Sequence, residues 1–569
     1  MVPHANTEFP AENGENCQAN GEDYTIPDMY LGYRRPIRIL VIGFGVSGIN
    51  VARVLGQTIK NSNIALQIYE KNAELGGTWF ENIYPGCACD IPAVNYQFSW
   101  HPKTDWTSYY ATGSEILGYL NDVVSHYNLD SFVKLNHRVV GAWWNDDKGQ
   151  WSVKIQRGDD PNDTFYDHGE ILINATGVLN HWKWPTIPGL EKFKNRVHTA
   201  AWDRSVDLAG KTVGVIGNGS SAVQVIPAIY DDVKDIKCFI RSRAWVTSGF
   251  ASTFAGENGA NIDYTEEQKK EFAEKPEEYL KYRKAVEKEI NQNFAMMIKG
   301  TPEQLEAEKF SRSDMIRRLE RKPELAEKLI PIDFAVGCRR PTPGNGYLEC
   351  ISSDKCTVTF SGITEITEDG VVTEDGELHK LDVLICATGF DVSFRPRYPI
   401  VGSNGVDMRD EFRESPETYI SVMAPNFPNY FMILGPFGPY GHGSVIPAVE
   451  AITRHLDVVI RKLQREGIRS LVPKEEAVAE FRRHRELFLK RTVWNAPCRS
   501  WFKIGGPDGP IMMWPGTRLH FFDVLLNPRW EDYEWKYVAA NRYAYLGNGF
   551  TEADVGGEGT DVAWYIDGI

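Results

Sequence analysis

Two glycine-rich segments, each placed directly after a short apolar run, constrain this chain more than any other feature. The first is Gly43-Phe-Gly45-Val-Ser-Gly48 after Ile37-Arg-Ile-Leu-Val-Ile42. The second is Gly217-Asn218-Gly219-Ser220-Ser221-Ala222 after Thr212-Val-Gly-Val-Ile216. The pattern predicts a strand, a tight turn and a helix. Glycines there let the backbone approach a pyrophosphate lying at the positive end of the helix. One such unit holds one dinucleotide, so two units imply two, most simply a flavin and a nicotinamide.

The residues closing each unit distinguish the two sites. The first closes on Gln67-Ile-Tyr-Glu70. Glu70 stands about 20 residues past the glycines, where an acid accepts hydrogen bonds from a ribose. The second closes on Ile240-Arg241-Ser242-Arg243 with no acid. Arginine there suits a 2′-phosphate, which predicts NADP over NAD at this site. Two similar strand ends, Asn174-Ala-Thr-Gly177 and Cys386-Ala-Thr-Gly389, lie downstream of the two fingerprints. They support two related nucleotide domains, one inserted into the other.

At 569 residues the chain exceeds a single core. The expected fold class is α/β: two Rossmann-like dinucleotide-binding domains, for FAD and NADP, with a helical insertion. The expected boundaries are an N-terminal extension over 1–35, an FAD domain from 36–190 and 391–569, and an NADP domain from 191–250 and 333–390. A Glu-, Lys- and Leu-rich stretch over 251–332 reads as helices, either a solvated insertion or a lid. Within it, Thr301-Pro302 and Ser313-Asp314 both resemble helix starts.

The net charge of −15 argues against general affinity for nucleic acid or anionic membrane. The nine cysteines are scattered, with one close pair, Cys87-Ala-Cys89. No metal-ligand spacing is present, and that pair is too close for a flavin disulfide reductase. They read as reduced, hence a cytoplasmic protein. The polar, acidic start shows no secretory pattern. The sequence does not fix an oligomeric state, and a monomer is compatible with it.

Between the fingerprints lies Gly76-Gly77-Thr78-Trp79-Phe-Glu-Asn-Ile-Tyr84-Pro85-Gly86-Cys-Ala-Cys-Asp90. A backbone this rich in glycine can lie against a flat ring, with Trp79 packed on it and Asp90 as a fixed anion. This string resembles the long fingerprint of the Baeyer–Villiger monooxygenases. A second stretch, Phe193-Lys-Asn-Arg-Val-His198-Thr-Ala-Ala-Trp202-Asp203, is similar to that family's other signature. It departs from it at Asn195, where glycine is expected, and by one missing residue before His198. The resemblance makes His198 a linker residue that hydrogen-bonds backbone rather than an acid or base. Two further elements match: Gly337-Cys-Arg339-Arg340-Pro341, with Arg339 in place of the usual lysine, and Cys498-Arg-Ser-Trp501-Phe502.

The resemblance implies an NADPH-dependent enzyme that inserts one oxygen atom of O2 beside a ketone carbonyl, by way of a flavin peroxide, to give an ester or lactone. Its partners are then a small ketone and O2. Arg340 and Asp90 are the implied catalytic residues, since a permanent cation stabilises an attacking peroxide anion and the oxyanion it creates, and a buried cation needs an anion. The flavin side takes Gly43, Gly45, Gly48, Glu70, Gly77, Thr78, Trp79, Asp90 and Tyr96. The nicotinamide side takes Gly217, Asn218, Gly219, Ser220, Ser221, Gln224, Arg241, Ser242 and Arg339, with Trp501 closing over it. The alternative is a related flavin monooxygenase acting on sulfur or nitrogen. A flavoprotein that binds both nucleotides as a redox sensor, without oxygenation, is a third reading. The segment Phe437-Gly-Pro-Tyr-Gly-His442-Gly is unusual but carries no readable signal.

Overall fold

The computed structural model describes residues 24–58, 63–557 and 559–567. The N-terminal extension expected over 1–35 therefore lies partly outside the described residues. Its described part packs on the C-terminal segment, Leu31 N–H donating to the Phe550 carbonyl at 2.7 Å and Asn548 N–H to that of Met29 at 2.8 Å.

Each glycine turn leaves the centre of its own five-stranded parallel sheet. The first sheet runs Tyr430–Met432, Ile171–Asn174, Ile37–Ile42, Ile64–Tyr69, Val133–Lys134. The second runs Cys356–Thr359, Asp235–Phe239, Thr212–Ile216, Val383–Cys386, Arg196–His198. Strands covered on both faces need unbroken apolar sequence. Ile39, Val41, Val213 and Val215 are accordingly wholly buried.

The two halves share a local device. Gly43 (φ +101°) and Gly217 (φ +119°) leave their strands in a conformation that favours glycine. A Cβ on either would stand 2.9 Å from the Ala175 carbonyl or 2.5 Å from that of Ala387. These alanines belong to the two Ala-Thr-Gly strand ends, and each donates its N–H back across the sheet, to Ile42 at 2.9 Å and to Ile216 at 3.0 Å. The repeated strand end thus sets how tightly each fingerprint can turn. A four-stranded sheet of Ile400–Val401, His137–Asn145, Gln150–Arg157 and Thr164–Gly169 carries its own core around Trp144 and Trp151.

The stretch between the second turn and Arg339 holds the helices Glu266–Glu274, Pro276–Gln292, Pro302–Arg318 and Pro323–Leu329. The reading of these helices as solvated is corrected for all but Glu266–Glu274, which buries no residue. Tyr279, Val286 and Ile290 are buried in the core of the first sheet, whereas Met315, Leu319, Leu325 and Leu329 enter the core of the second. Of the two helix starts read from the sequence, Thr301 is one. Its side chain accepts from Gln304 N–H, with proline in the first turn. Ser313-Asp314 is not: it lies inside Pro302–Arg318, where Asp314 pairs with Arg317 at 2.5 Å. An acid mid-helix finds arginines one turn on, so the local pattern mimics a cap.

The reading of all cysteines as reduced is also corrected. Cys338 and Cys498, 160 residues apart, form a disulfide with Cα atoms 6.4 Å apart. Both are fully buried, and burial beside each other lets them pair although neither stands in a cysteine motif. Among the described residues no helix is long and apolar enough to cross a membrane, and no group of metal-ligating side chains assembles.

Candidate active site

A cavity of about 1100 Å³ opens between the first glycine turn and the start of the second fingerprint helix. It gathers Gly43, Gly45, Glu70, Gly77, Thr78, Trp79, Asp90, Tyr96, Ser220, Ser221, Gln224, Arg340 and Trp501 from the sequence-derived set. Gly48 lies beneath it, packed so closely that a Cβ would stand 2.1 Å from the Gly43 carbonyl oxygen.

The walls are built from the two glycine loops. A Cβ on Gly45 would meet the Gly77 Cα at 3.4 Å, and one on Gly77 the Gly45 Cα at 3.1 Å. The loops therefore approach backbone to backbone. Glu70 is buried at the strand end and accepts N–H bonds from Phe44 at 2.7 Å and Asn72 at 2.9 Å. Burial raises its pKa, and the two bonds counter that by favouring the anion. The Trp79 ring meets Tyr96 edge-on at 5.5 Å, and its N–H donates to the Tyr96 hydroxyl at 3.2 Å. Cys87 and Cys89 line the same wall, and burial pushes the Cys87 thiol up to about 11, which keeps it protonated and unreactive.

Arg340 enters this cavity as a paired cation. It forks onto Asp90, Nε to Oδ2 at 2.6 Å and Nη2 to Oδ1 at 2.8 Å. Nη1 donates to the Tyr440 carbonyl at 3.2 Å, and the guanidinium carbon lies 5.1 Å from the Phe250 ring centroid. Burial lowers its pKa, and the Asp90 carboxylate more than reverses this. Of five guanidinium N–H groups, three are engaged and two have no partner among the described residues.

Arg241, Ser242, Arg339 and the glycines of the second turn are outside this cavity. They group at the carboxyl end of the second sheet. Asn218 donates to the Ser242 carbonyl at 2.6 Å, and Arg339 to that of Arg243 at 3.1 Å. Arg241 is exposed. A Cβ on Gly219 would touch no protein atom within 4 Å, so protein packing does not require glycine there.

Residues 36–299 match the family model described as FMO-like, flavin-binding monooxygenase-like. The chain is similar to the FAD-binding monooxygenase tazF of Aspergillus terreus, 36% identical over 537 residues that cover 94% of this chain and 95% of that protein. It is also 36% identical to the FAD-binding monooxygenase stcW of Emericella nidulans, over 94% and 88% of the two chains. The chain belongs to the flavin-binding monooxygenase-like family. Among solved structures it resembles cyclohexanone monooxygenase from Rhodococcus sp. Phi1 bound to NADP+, with a TM-score of 0.75 and 28% identity over 88% of this chain and 100% of that one.

Within this flavin-binding monooxygenase, some site features had a sequence signal and others had none. His198 stacks on Trp182 at 4.7 Å, its Nδ1 accepts the Ala200 N–H at 3.1 Å, and its Nε2 lies 3.1 Å from Thr388 Oγ1. Burial lowers its pKa to about 4, so it is neutral and ties two strand ends together. Asn195, the departure from the family pattern, donates to the Asp382 carbonyl at 3.1 Å. Gln224 spans the two halves, accepting from the Tyr84 hydroxyl at 2.6 Å and donating to the Ala88 carbonyl at 2.9 Å. Phe250 and Tyr440 were missed as partners of Arg340. A phenyl face and a main-chain carbonyl have no motif; only the unusual glycine-rich run around Tyr440 hinted at one.

Proposed function

We propose that this chain is an FAD-containing, NADPH-dependent Baeyer–Villiger monooxygenase that converts a small ketone to an ester or lactone. One observation carries the reading: a fully charged guanidinium, Arg340, is held by a carboxylate in the cavity of the first glycine turn, with two N–H groups left over.

Bound FAD, reduced by NADPH, supplies the activation of O2. The residues present fit both groups. The glycine turns, the buried Glu70 and the Trp79–Tyr96 wall suit a flavin dinucleotide. The open side of Gly219 and the group of Asn218, Arg241, Ser242 and Arg339 suit a dinucleotide with a 2′-phosphate. Ser220, Ser221 and Gln224 border the space between the two, and Trp501, 5.9 Å from Tyr440, lines the same cavity.

Attack on a ketone turns its carbonyl oxygen into an oxyanion. Arg340 meets that charge without a proton transfer, and Asp90 and Tyr440 hold it still beforehand, so no reorganisation is needed at the reacting moment. Oxidation of a thioether or amine creates no such oxyanion and does not call for this pair.

The test is a panel of ketones of varied ring size and chain length, incubated with NADPH and O2, with products identified. Ester or lactone from the wild type and an Arg340→Ala protein that keeps FAD but loses about 10²–10³ in rate support the reading. Near-normal ester formation by Arg340→Ala refutes the role of Arg340. Oxidation of thioethers or amines alone replaces the Baeyer–Villiger reading.

A further inference from the structure

We propose that Arg518, outside the cavity, is a positioning residue that aims Arg340 by gripping the loop that carries Tyr440. This rests on the reading of Arg340 given above.

Tyr440, Gly443 and Ser444 belong to the run Phe437-Gly-Pro-Tyr-Gly-His442-Gly-Ser444, for which the reaction itself supplies no explanation. Arg518 stands in the helix Arg518–Leu526 and is 0% exposed. Its Nη1 donates to the Ser444 carbonyl at 3.0 Å, and its backbone N–H to His442 Nε2 at 3.3 Å. Gly443 (φ +76°) presses flat on the guanidinium, where a Cβ would lie 2.5 Å from its central carbon. This close fit explains the glycine: any side chain there would displace Arg518.

The other edge of Arg518 is fixed from the helical insertion. Nη2 donates to Glu287 Oε1 at 2.6 Å and to Asn291 Oδ1 at 2.8 Å, while Asn95 donates to Glu287 Oε2 at 2.7 Å. Four separate segments, at Asn95, Glu287–Asn291, His442–Ser444 and Arg518, therefore converge on one ion pair whose arginine is fully buried and whose carboxylate is about one-quarter exposed. Such a pair contributes little net stability and is strongly destabilising when one partner is lost, which suits a group kept for geometry. His442 remains neutral beside it, since burial and the nearby arginines lower its pKa to about 3, and only a neutral imidazole accepts the Arg518 N–H.

The loop has one further contact that matters. The Tyr440 carbonyl is the third ligand of Arg340, after the two oxygens of Asp90. The Tyr440 hydroxyl faces the carbonyls of Leu434 and Gly435, each at 2.5 Å, which holds that end of the loop. Arg518 holds the other end. Freed there, the loop would let Arg340 pivot about Asp90, and its two free N–H groups would lose their aim.

The experiment compares wild type, Arg518→Lys, and the double variant Arg518→Met/Glu287→Leu, which removes both charges together. Three readouts are taken: FAD content, phenylglyoxal labelling of Arg340 followed by peptide mass spectrometry, and the ratio of ester formed to hydrogen peroxide released with a good ketone. That ratio does not depend on how much enzyme is folded. The expected result is retained FAD, labelling about fivefold faster, and a ratio lowered about tenfold, less than the loss of a whole oxyanion donor. Combined with Arg340→Ala, the Arg518 change lowers the ratio no further, because one acts through the other. Unchanged labelling and ratio overturn the proposal, as does a fall of equal size in the Arg340→Ala background. Failure of both variants to bind FAD also overturns it, because Arg518 then supports the fold as a whole. If the wild type makes no ester from any ketone, the functional reading falls, and the labelling still decides whether Arg518 aims Arg340.

Discussion

Arg339 and Arg340 are adjacent, yet their side chains part toward different sites. Arg340 turns to Asp90, while Arg339 turns to the Arg243 carbonyl beside Ser242. Charge-assisted hydrogen bonds contribute roughly 1.5–3 kcal/mol each. Arg339→Ala should therefore weaken NADPH by about 10- to 150-fold while changing NADH little. Titration of both cofactors checks this, and equal losses would remove the phosphate role. At this scale the sequence is legible where side-chain identity matters. A buried cation demands an anion, and Asp90 is the acid closing the glycine loop. Tyr440 serves Arg340 through its backbone, which any residue possesses, so no letter in the sequence announces it. The cysteine pair failed for a related reason: pairing depends on proximity in space, and 160 residues separate the two.

At the scale of the element, the five fingerprint glycines are not equivalent. Gly48 lies where helix meets strand, and an added Cβ would stand 2.1 Å from a carbonyl oxygen. Gly219 has open space on that side and an extended φ of −84°, which alanine adopts freely. Gly48→Ala should cost roughly 1–3 kcal/mol or more through overpacking and yield protein with little flavin. Gly219→Ala should unfold within about 0.5 kcal/mol of wild type, as a change without a packing clash does, while binding NADP more weakly. Denaturant melts alongside NADP titration separate the two outcomes. The strand–turn–helix units were legible because a buried parallel strand and a glycine turn both leave a pattern in consecutive residues. The insertion was legible as helix but not in its placement. Its Glu-, Lys- and Leu-rich composition reads as helix, and nothing local says that one pair of helices meets the first core and the other pair the second.

The whole molecule should be acid-labile through its buried histidines. Burial lowers His198 to about 4 and His442 to about 3, against 6.5 when unfolded. Below pH 6.5 the unfolded chain takes up protons that the folded chain refuses. Stability present above pH 6.5 is then lost as pH falls, by up to about 1.4 kcal/mol per pH unit for each histidine. The loss at His198 ends near pH 4. Melting temperatures between pH 7 and 5 should fall less steeply for His198→Gln than for wild type; identical slopes would show that another group governs acid unfolding. The disulfide acts at the same scale, as a leash. Trp501 follows Cys498 by three residues, a reach of about 10 Å even when fully extended. Cys498 is itself bound to Cys338, next to the two arginines. With the bond closed, the indole is held in the neighbourhood of Arg340. Limited proteolysis within 499–510 should stay slow in the oxidised protein and quicken after reduction or in Cys498→Ser. In the oxidised protein one wall of the cavity and the arginine that faces it are a single covalent piece.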